Sequence, residues 1–233
     1  MCPKIPIRPL LPLRPTRFGT LGILSPEKAA LHGMVCADGY FVCGLRTPSD
    51  TGERYYITLA EPDPSIRRLF ASYMFRQYGV RARDNAALQT TRIYGKKVVL
   101  DMATLGPFGN SHWRVPVKRL DCASARAWLR SYFDGDGDVR VSWTLSKCKV
   151  RAKSVNLRGL RGVRQVLLSF FNVTSKIYRH GKPKRPNWSQ SYDLEIIGSR
   201  NLLAFAGRIG FNHPAKQRKL NRIVALIRTK GLG

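Results

Sequence analysis

The sequence predicts an α+β protein in which an α-β-β-α-β-β-α unit is used twice. Two segments with helical apolar spacing end in the same dipeptide, Asp38-Gly39 and Asp136-Gly137. Each segment is followed by a hairpin pattern, a second helical pattern and a second hairpin. The chain has 233 residues and is 43% hydrophobic, which is sufficient for a packed core.

In the first half, Ser25 and Pro26 have the residue types of a helix N-cap and first turn, and the helix continues to Asp38. The later elements follow from apolar period and turn residues. They are strands over 40–46 and 54–59, a helix over 64–78, strands over 80–83 and 91–94, and a short helix over about 99–105.

The same order then begins again. The predicted elements are a helix over 121–136, strands over 139–145 and 149–155, a helix over 158–171, strands over 174–180 and 188–197, and helices over 199–209 and 215–228. Residues 106–116 are the most loop-like stretch. We therefore expect a proline-rich arm (1–24), a first repeat (25–110), a linker (111–120) and a second repeat (121–233).

Acidic residues cluster where the second of the two similar helices ends, at Asp134, Asp136 and Asp138. A helix C-terminus already carries partial negative charge, so a cation or protein donors must compensate the cluster. A calcium loop is excluded, because Val139 and Leu145 stand where it needs Gly and Glu. An acidic turn that ends an ordinary core helix remains the alternative for a single cluster, but the duplication argues against it.

Small residues recur at helical spacing in both segments. Gly33 and Ala37 lie on one face of the first helix, and Ser131 and Gly135 on one face of the second. Without bulk on these faces, the two helices can pack backbone to backbone. Such packing would bring together the two aspartates, which are 136 − 38 = 98 residues apart.

These two segments resemble the paired motifs of the LAGLIDADG homing endonucleases in their single-chain, two-repeat form. The resemblance covers residues 26–228 and implies two saddle-shaped antiparallel sheets joined by the packed motif helices. It implies hydrolysis of both strands of a DNA duplex across the minor groove, with Mg²⁺ as cofactor and Mn²⁺ as a substitute. The implied catalytic acids and metal ligands are Asp38 and Asp136, with the backbone carbonyls of Ala37 and Gly135 as further ligands.

The sequence departs from the family pattern where a Gln or Lys often follows the second strand of each repeat. Leu59-Ala60 and Val155-Asn156 stand at these places. Lys118 and Lys216, which precede later helices, are the candidate catalytic substitutes. We expect His213, before Pro214, to be a turn or cap residue.

The charge balance indicates a polyanionic partner. Lys and Arg number 41 against 14 Asp and Glu, a net charge of +27. Nucleic acid is favoured over a membrane surface, because the chain has no apolar run of about 20 residues. The family resemblance implies that this nucleic acid is double-stranded DNA. Residues that alternate along the predicted strands form one basic face, and Trp143 and Leu145 are expected on the opposite, core face. The predicted DNA contacts are Arg46, Arg54, Tyr56, Thr58, Arg81, Arg83, Arg92, Tyr94, Arg140, Ser142, Thr144, Lys149, Arg151, Lys153, Lys176 and Tyr178, with Lys182, Lys184 and Arg185 in a basic turn.

Two other classes of function remain open. One is a non-cleaving binder on the same fold, either an RNA maturase or a DNA-binding regulator, and the other is a basic ribosome-associated structural protein. The five cysteines lack the spacing of a disulfide framework or a zinc site, so we expect thiols in a reducing, intracellular compartment such as a prokaryotic cytoplasm or an organelle. Because the two repeats differ in detail, we expect a monomer without an obligate protein partner, bound to one non-palindromic duplex.

Overall fold

The computed structural model describes residues 22–45, 52–109, 111–181 and 189–229. Most of the predicted N-terminal arm and four predicted DNA contacts, Arg46, Lys182, Lys184 and Arg185, lie outside these residues. Within the described ranges, no helix is long and apolar enough to cross a membrane.

The first repeat contains seven elements around one four-stranded antiparallel sheet. They are α1 (Pro26–Asp38), β1 (Gly39–Leu45), β2 (Arg54–Ala60), α2 (Pro64–Tyr78), β3 (Arg83–Asn85), β4 (Thr90–Tyr94) and α3 (Lys96–Ala103). The strand order in the sheet is β1-β2-β4-β3.

The second repeat has the same order and one additional helix. Its elements are α4 (Cys122–Asp136), β5 (Gly137–Arg140), β6 (Lys149–Ser154), α5 (Leu157–Phe171), β7 (Lys176–Arg179), β8 (Tyr192–Ile197), α6 (Ser199–Arg208) and α7 (Pro214–Thr229). The strand order β5-β6-β8-β7 corresponds to that of the first sheet. The predicted α+β fold with a duplicated unit is confirmed.

One face of each sheet packs against the helices and forms the core. Ile57 and Ile93 in the first sheet, and Val150 and Ile196 in the second, are completely buried. Neighbouring residues along the same strands point to the opposite face, because side chains alternate in a strand. The polar and basic residues of each sheet therefore share its outer face.

The ends of α1 and α4 follow from local sequence. The Ser25 hydroxyl accepts a hydrogen bond from the Lys28 amide at 3.2 Å, and Asp121 and Ser124 form a reciprocal capping box at the start of α4. Both helices end at glycine, with the amides of Gly39 and Gly137 bonded to helix carbonyls. A Cβ atom on Gly137 would lie 2.2 Å from the Phe133 oxygen, so this tight exit requires glycine.

The segment between the repeats is packed into the core. Trp113 is 5.1 Å from Tyr132 between ring centroids and lies where a Cβ atom on Gly159 would be. The Asn156 side-chain amide donates to the Trp113 carbonyl at 2.7 Å. The predicted linker therefore contributes a buried aromatic residue that ties α4 to α5.

The structure corrects several predicted element boundaries. Strand β3 begins at Arg83 rather than at residue 80, which leaves Arg81 ahead of the strand. Helix α3 begins at Lys96, since the Gly95 carbonyl already accepts a hydrogen bond from Val99.

The largest difference concerns the loop after β5. The strand ends at Arg140, so Ser142 and Thr144 are not strand residues, and Trp143 is 86% exposed rather than part of the core. The buried Cys148 thiol exchanges hydrogen bonds with the Ser142 backbone at 3.2 and 3.3 Å, and this contact closes the loop. The prediction extended strand alternation past the point where pairing stops.

Candidate active centre between the motif helices

Helices α1 and α4 pack with their backbones in contact. A Cβ atom on Gly33 would lie 2.5 Å from the Trp128 carbonyl oxygen, and one on Gly135 would lie 2.6 Å from the Ala37 Cβ. Ser131, on the same face of α4 as Gly135, is also buried. Gly33, Ala37 and Gly135 therefore lie at the helix contact as predicted, and larger side chains there would separate the two repeats.

His32 joins the two helices through a buried hydrogen bond. Its Nδ1 accepts a hydrogen bond from Trp128 Nε1 at 2.8 Å, and the Cys36 thiol lies 3.4 Å from the same nitrogen. Complete burial lowers the pKa of His32 to about 3, with a smaller effect from Arg119. The imidazole is therefore neutral and has a structural role.

Asp38 and Asp136 meet where the two helices end. A Cβ atom on Gly135 would lie only 2.1 Å from Asp38 Oδ2, so the carboxylate of α1 lies against the backbone of α4. Burial raises the pKa of Asp38 to about 6, with a further increase from Glu61. Burial also raises the pKa of Asp136 to about 7, with a further increase from Asp38. Two partly buried carboxylates that repel each other are poised to hold a cation.

The three acids at the end of α4 have different roles. Asp134 is fully buried and accepts hydrogen bonds from the amides of Asn212 and His213, each at 2.9 Å, and from the Asn212 side chain. Asp138 pairs with Arg151 at 3.1 Å. Only Asp136 faces Asp38, so the acidic cluster contributes one residue to the candidate active centre.

Lys216, at the start of α7, compensates the negative end of α4. Its ammonium group donates to the carbonyl of Gly135 at 2.7 Å and also to that of Asp134. Burial lowers the pKa of Lys216, and the nearby carboxylates, Asp134 foremost, oppose this shift. The Gly135 carbonyl, which the family resemblance implies as a metal ligand, is therefore bonded to a lysine in this structure.

The other predicted lysine, Lys118, lies elsewhere. It is exposed on a short 3-10 turn over Val117–Arg119. Among the contacts of the described residues, Lys118 makes no hydrogen bond or ion pair with either aspartate. His213, in contrast, has the predicted turn role, because its carbonyl accepts the Gln217 amide and its ring lies 3.7 Å from Asp63.

Sequence reasoning missed Glu61, which follows β2 directly. Its side chain is buried, and its carboxylate contributes to the raised pKa of Asp38. The corresponding residue of the second repeat is Ser154, because Leu59 and Ala152 each pair with the glycine that follows a motif helix. The Ser154 hydroxyl accepts the Asn156 amide at 3.1 Å, as the Glu61 carboxylate accepts the Asp63 amide at 2.9 Å. Asp63 and Asn156 in turn cap the helices that follow. An acid immediately after the second strand was a usable signal, but its proximity to Asp38 depends on sheet packing.

On the second-repeat side, a cavity of about 290 Å³ adjoins Asp136. Its lining includes Ala37, Asp136 and the exposed Lys153. Lys153, predicted as a DNA contact, is therefore also a basic group beside the second aspartate.

The donor set fits a hard divalent cation shared with a substrate. Among the described residues, no group of three or more His, Cys, Asp or Glu side chains could hold a metal. A hard divalent cation can be bound by one or two carboxylates when substrate phosphates supply its other ligands. Asp38 and Asp136 are the residues that would hold such a cation.

The outer face of the first sheet is aromatic and cationic. Tyr40, Tyr56 and Tyr94 form a row, with ring centroids 6.1 and 5.9 Å apart. The Arg92 guanidinium lies 4.6 Å above the Tyr56 ring, and Arg83 lies 5.4 Å from the Tyr94 ring. These cation–π contacts hold the two guanidinium groups against the tyrosine row.

Thr58 and Arg54 complete the predicted contacts of this face. Thr58 is buried and accepts a hydrogen bond from Arg92 Nε at 2.8 Å. It therefore supports Arg92 rather than offering a free surface, whereas Arg54 is exposed.

The outer face of the second sheet contains acids as well as bases. Lys149 forms an ion pair with Glu195, and Arg151 lies between Asp138 and Asp193. The prediction treated these basic residues as unpaired, although Asp138 lies only 13 residues before Arg151. Glu195 lies 46 residues after Lys149, and strand pairing brings the two together. Three further predicted contacts, Arg140, Lys176 and Tyr178, are exposed on this face.

Comparisons with known proteins agree with this architecture. The sequence model of the LAGLIDADG-like domain matches residues 123–210. The curated relatives include the replication factor C small subunit of Thermococcus kodakarensis, 26% identical over 195 residues that cover 82% of this chain and 20% of that protein. They also include the probable translation initiation factor IF-2 of Methanocaldococcus jannaschii, 34% identical over 97 residues, which are 42% of this chain and 8% of that protein. The chain thus spans a fifth or less of the length of these relatives.

Solved structures with the same fold include the endonuclease I-DmoI in complex with DNA and Ca, with a TM-score of 0.58 and 16% identity over 84% of this chain and 97% of that chain. The meganuclease I-SmaMI bound to DNA has a TM-score of 0.55 and 11% identity over 90% and 94% of the two chains. Full-length DUF199/WhiA from Thermatoga maritima, which is not named as an endonuclease, has a TM-score of 0.55 and 17% identity over 92% and 63% of the chains. The chain therefore has the fold of the LAGLIDADG homing endonucleases, with a LAGLIDADG-like domain in its second repeat.

Proposed function

We propose that this protein is a site-specific DNA endonuclease that uses Mg²⁺, with Mn²⁺ as a substitute, to hydrolyse both strands of a long non-palindromic duplex. The observation that carries this proposal is the meeting of Asp38 and Asp136 at the ends of two packed helices, each followed directly by the first strand of a four-stranded antiparallel sheet. Two carboxylates beside a phosphate backbone would repel it, so cleavage accounts for this pair better than binding alone does.

The pKa values of the two aspartates and the charge of the chain support the proposed cleavage function. The raised pKa values of Asp38 and Asp136, about 6 and 7, mean that ionising both carboxylates is unfavourable without a cation. Bound divalent ions can activate water and stabilise the charge on the phosphorane-like transition state and on the leaving oxygen. The net charge of +27 offsets the repulsion between the acidic centre and the phosphate backbone.

The remaining residues of the centre have positioning and electrostatic roles in this proposal. Lys216, bonded to the Gly135 carbonyl at 2.7 Å, holds a positive charge beside Asp136, where negative charge develops on a scissile phosphate. Lys153 lines the cavity beside the same aspartate. Glu61 adds negative charge next to Asp38. The two strand-cleaving centres would therefore differ in their supporting groups.

Two of the similar proteins indicate that a stretch like this chain can occur within different proteins. An initiation factor and a replication factor subunit differ in their named functions, yet both contain a stretch similar to this chain. The shared stretch is thus an independent module in this proposal, consistent with a self-contained DNA-cutting unit that needs no obligate protein partner.

The decisive experiment separates cleavage from binding. The protein is incubated with a randomised duplex library and Mg²⁺, the cut ends are sequenced, and the enriched duplex is then used with Asp38→Asn and Asp136→Asn. Each variant is expected to lose double-strand cleavage and retain specific binding, because the basic sheet faces are unchanged.

Two results would contradict the proposal. Full cleavage by either variant in Mg²⁺ would remove the aspartates from the mechanism. Sequence-specific binding by the wild-type protein without cleavage in Mg²⁺ or Mn²⁺ would favour the alternative, a non-cleaving DNA-binding regulator on this fold.

A further inference from the structure

Arg151 lies between two acids on the outer face of the second sheet. Its NH2 group lies 3.1 Å from Asp138 Oδ2, and its NH1 group lies 3.6 Å from Asp193 Oδ2. His180 Nε2 contacts the same Asp193 oxygen at 2.7 Å. Asp138 lies in β5 and Asp193 in β8, the two strands that flank β6, so the guanidinium is held from both sides of its own strand.

The local charge argues against a phosphate contact at this position. One guanidinium between two carboxylates gives a net charge of −1 when His180 is neutral. A phosphate approaching Arg151 would meet two repelling carboxylates, whereas a neutral hydrogen-bond acceptor would not. An exposed lysine such as Lys147 is a better phosphate contact, since the structure pairs it with no acid among the described residues.

The hydrogen-bonding capacity of Arg151 points to a base edge. Each terminal nitrogen of a guanidinium carries two N–H groups, so one contact on each leaves at least one N–H on each nitrogen. The Arg151 side chain is 37% exposed, and these donors can therefore be reached. Two parallel donors match the O6 and N7 acceptors that guanine presents in the major groove, which no other base offers as a pair.

This inference rests on the proposed DNA-binding function. We propose that Arg151 recognises one guanine, in the half of the DNA site bound by the second repeat, through two parallel hydrogen bonds. Asp138 and Asp193 are positioning residues that hold the two terminal nitrogens of its guanidinium in place. Arg151 pairs with Asp138 in the β5–β6 register, and Asp138 is two residues after Asp136 in the chain. At about 3.3 Å per strand residue, that separation is about 7 Å. With base pairs about 3.4 Å apart, the guanine is expected within about three base pairs of the phosphodiester beside Asp136.

The test is a binding selection, which does not depend on cleavage. Wild-type protein and variants are incubated with a randomised duplex library in EDTA, and the base preference at each position is determined by sequencing. Wild type should prefer guanine at one inner position of one half-site by about 5- to 150-fold, the range expected for a bidentate pair. Arg151→Ala should remove that preference and leave the other positions unchanged.

Two further variants test whether the guanine preference depends on a guanidinium held in one orientation or only on the positive charge of residue 151. Arg151→Lys keeps the charge but lacks the fork, so it should also lose the guanine preference. Asp193→Asn should weaken the preference several-fold without weakening overall affinity, since a negative charge is removed from the DNA-facing surface. Thermal melts of each variant confirm that it is folded.

Lys147→Ala is the matched control. It should lower affinity for all sequences alike and reduce the slope of log affinity against log salt by about 1, with the guanine preference unchanged. If Arg151→Ala behaves like Lys147→Ala, or if Arg151→Lys retains the preference, the inference is wrong while the proposed function stands. If the wild-type protein binds no duplex, the proposed function fails and this inference with it.

Discussion

Replacing Gly33 with alanine tests the contact on which the two-repeat architecture depends. The new Cβ atom would lie 2.5 Å from the Trp128 carbonyl oxygen and 3.3 Å from the Tyr132 amide nitrogen. Non-bonded heavy atoms pack best at about 3.5–4.0 Å, so the helices must separate by about 1 Å. Both neighbours are backbone atoms of α4, and no side chain can rotate away to relieve the clash.

The expected free-energy change is a difference between two terms. Overpacking a tight contact costs about 1–3 kcal/mol. Alanine recovers about 0.5–1 kcal/mol over glycine inside a helix. At the middle of both ranges, the net loss in the free energy of unfolding is about 1 kcal/mol. For a chain of this size this loss lowers Tm by about 2–4 °C.

Gly207→Ala is the matched control, because Gly207 also lies in a helix but a Cβ atom there would have nothing within 4 Å. This variant should gain about 0.5–1 kcal/mol from helix propensity alone. Scanning calorimetry measures Tm for the two variants and for the wild type. If Gly33→Ala melts at or above the wild-type temperature, as Gly207→Ala should, the close backbone packing of α1 against α4 is wrong.

Three further predictions follow from the site. Since the folded-state pKa values of Asp38 and Asp136, about 6 and 7, lie above the ordinary carboxyl value of 3.8, their contribution to stability is fully present at low pH and is lost as pH rises through these values. Thermal melts in EDTA should therefore show stability falling between pH 4 and 8, and Asp38→Asn combined with Asp136→Asn should flatten this dependence; an unchanged pH profile would contradict the assignment. Asp134→Ala should cost about 2–4 kcal/mol in chemical denaturation, because the amides of Asn212 and His213 lose their acceptor, whereas a value near zero would mean that Asp134 does not anchor this loop. Sedimentation should show one protein chain per duplex, and two chains on one duplex, or a strictly palindromic preferred target, would refute the monomer.

The sequence by itself determined the repeat order and the identity of the two central aspartates. Helix starts such as Ser25-Pro26, helix ends such as Gly39, and the spacing of small residues are local signals that act within a few residues. Gly33 and Gly135 were recognisable as interface residues because i, i+4 spacing fixes a shared helix face without any knowledge of the partner.

Only the tertiary structure decided which charged groups meet. Lys216 reaches the end of α4 from 80 residues away, Glu61 is brought beside Asp38 by sheet packing, and Glu195 and Asp193 pair with Lys149 and Arg151 across strands. Partners of this kind are selected by the approach of distant backbone segments, and such electrostatic contacts leave no periodic pattern in the chain. Distant segments also decide the roles of the three acids at the end of α4. Asp134 anchors the loop at Asn212, Asp138 pairs with Arg151, and Asp136 faces Asp38.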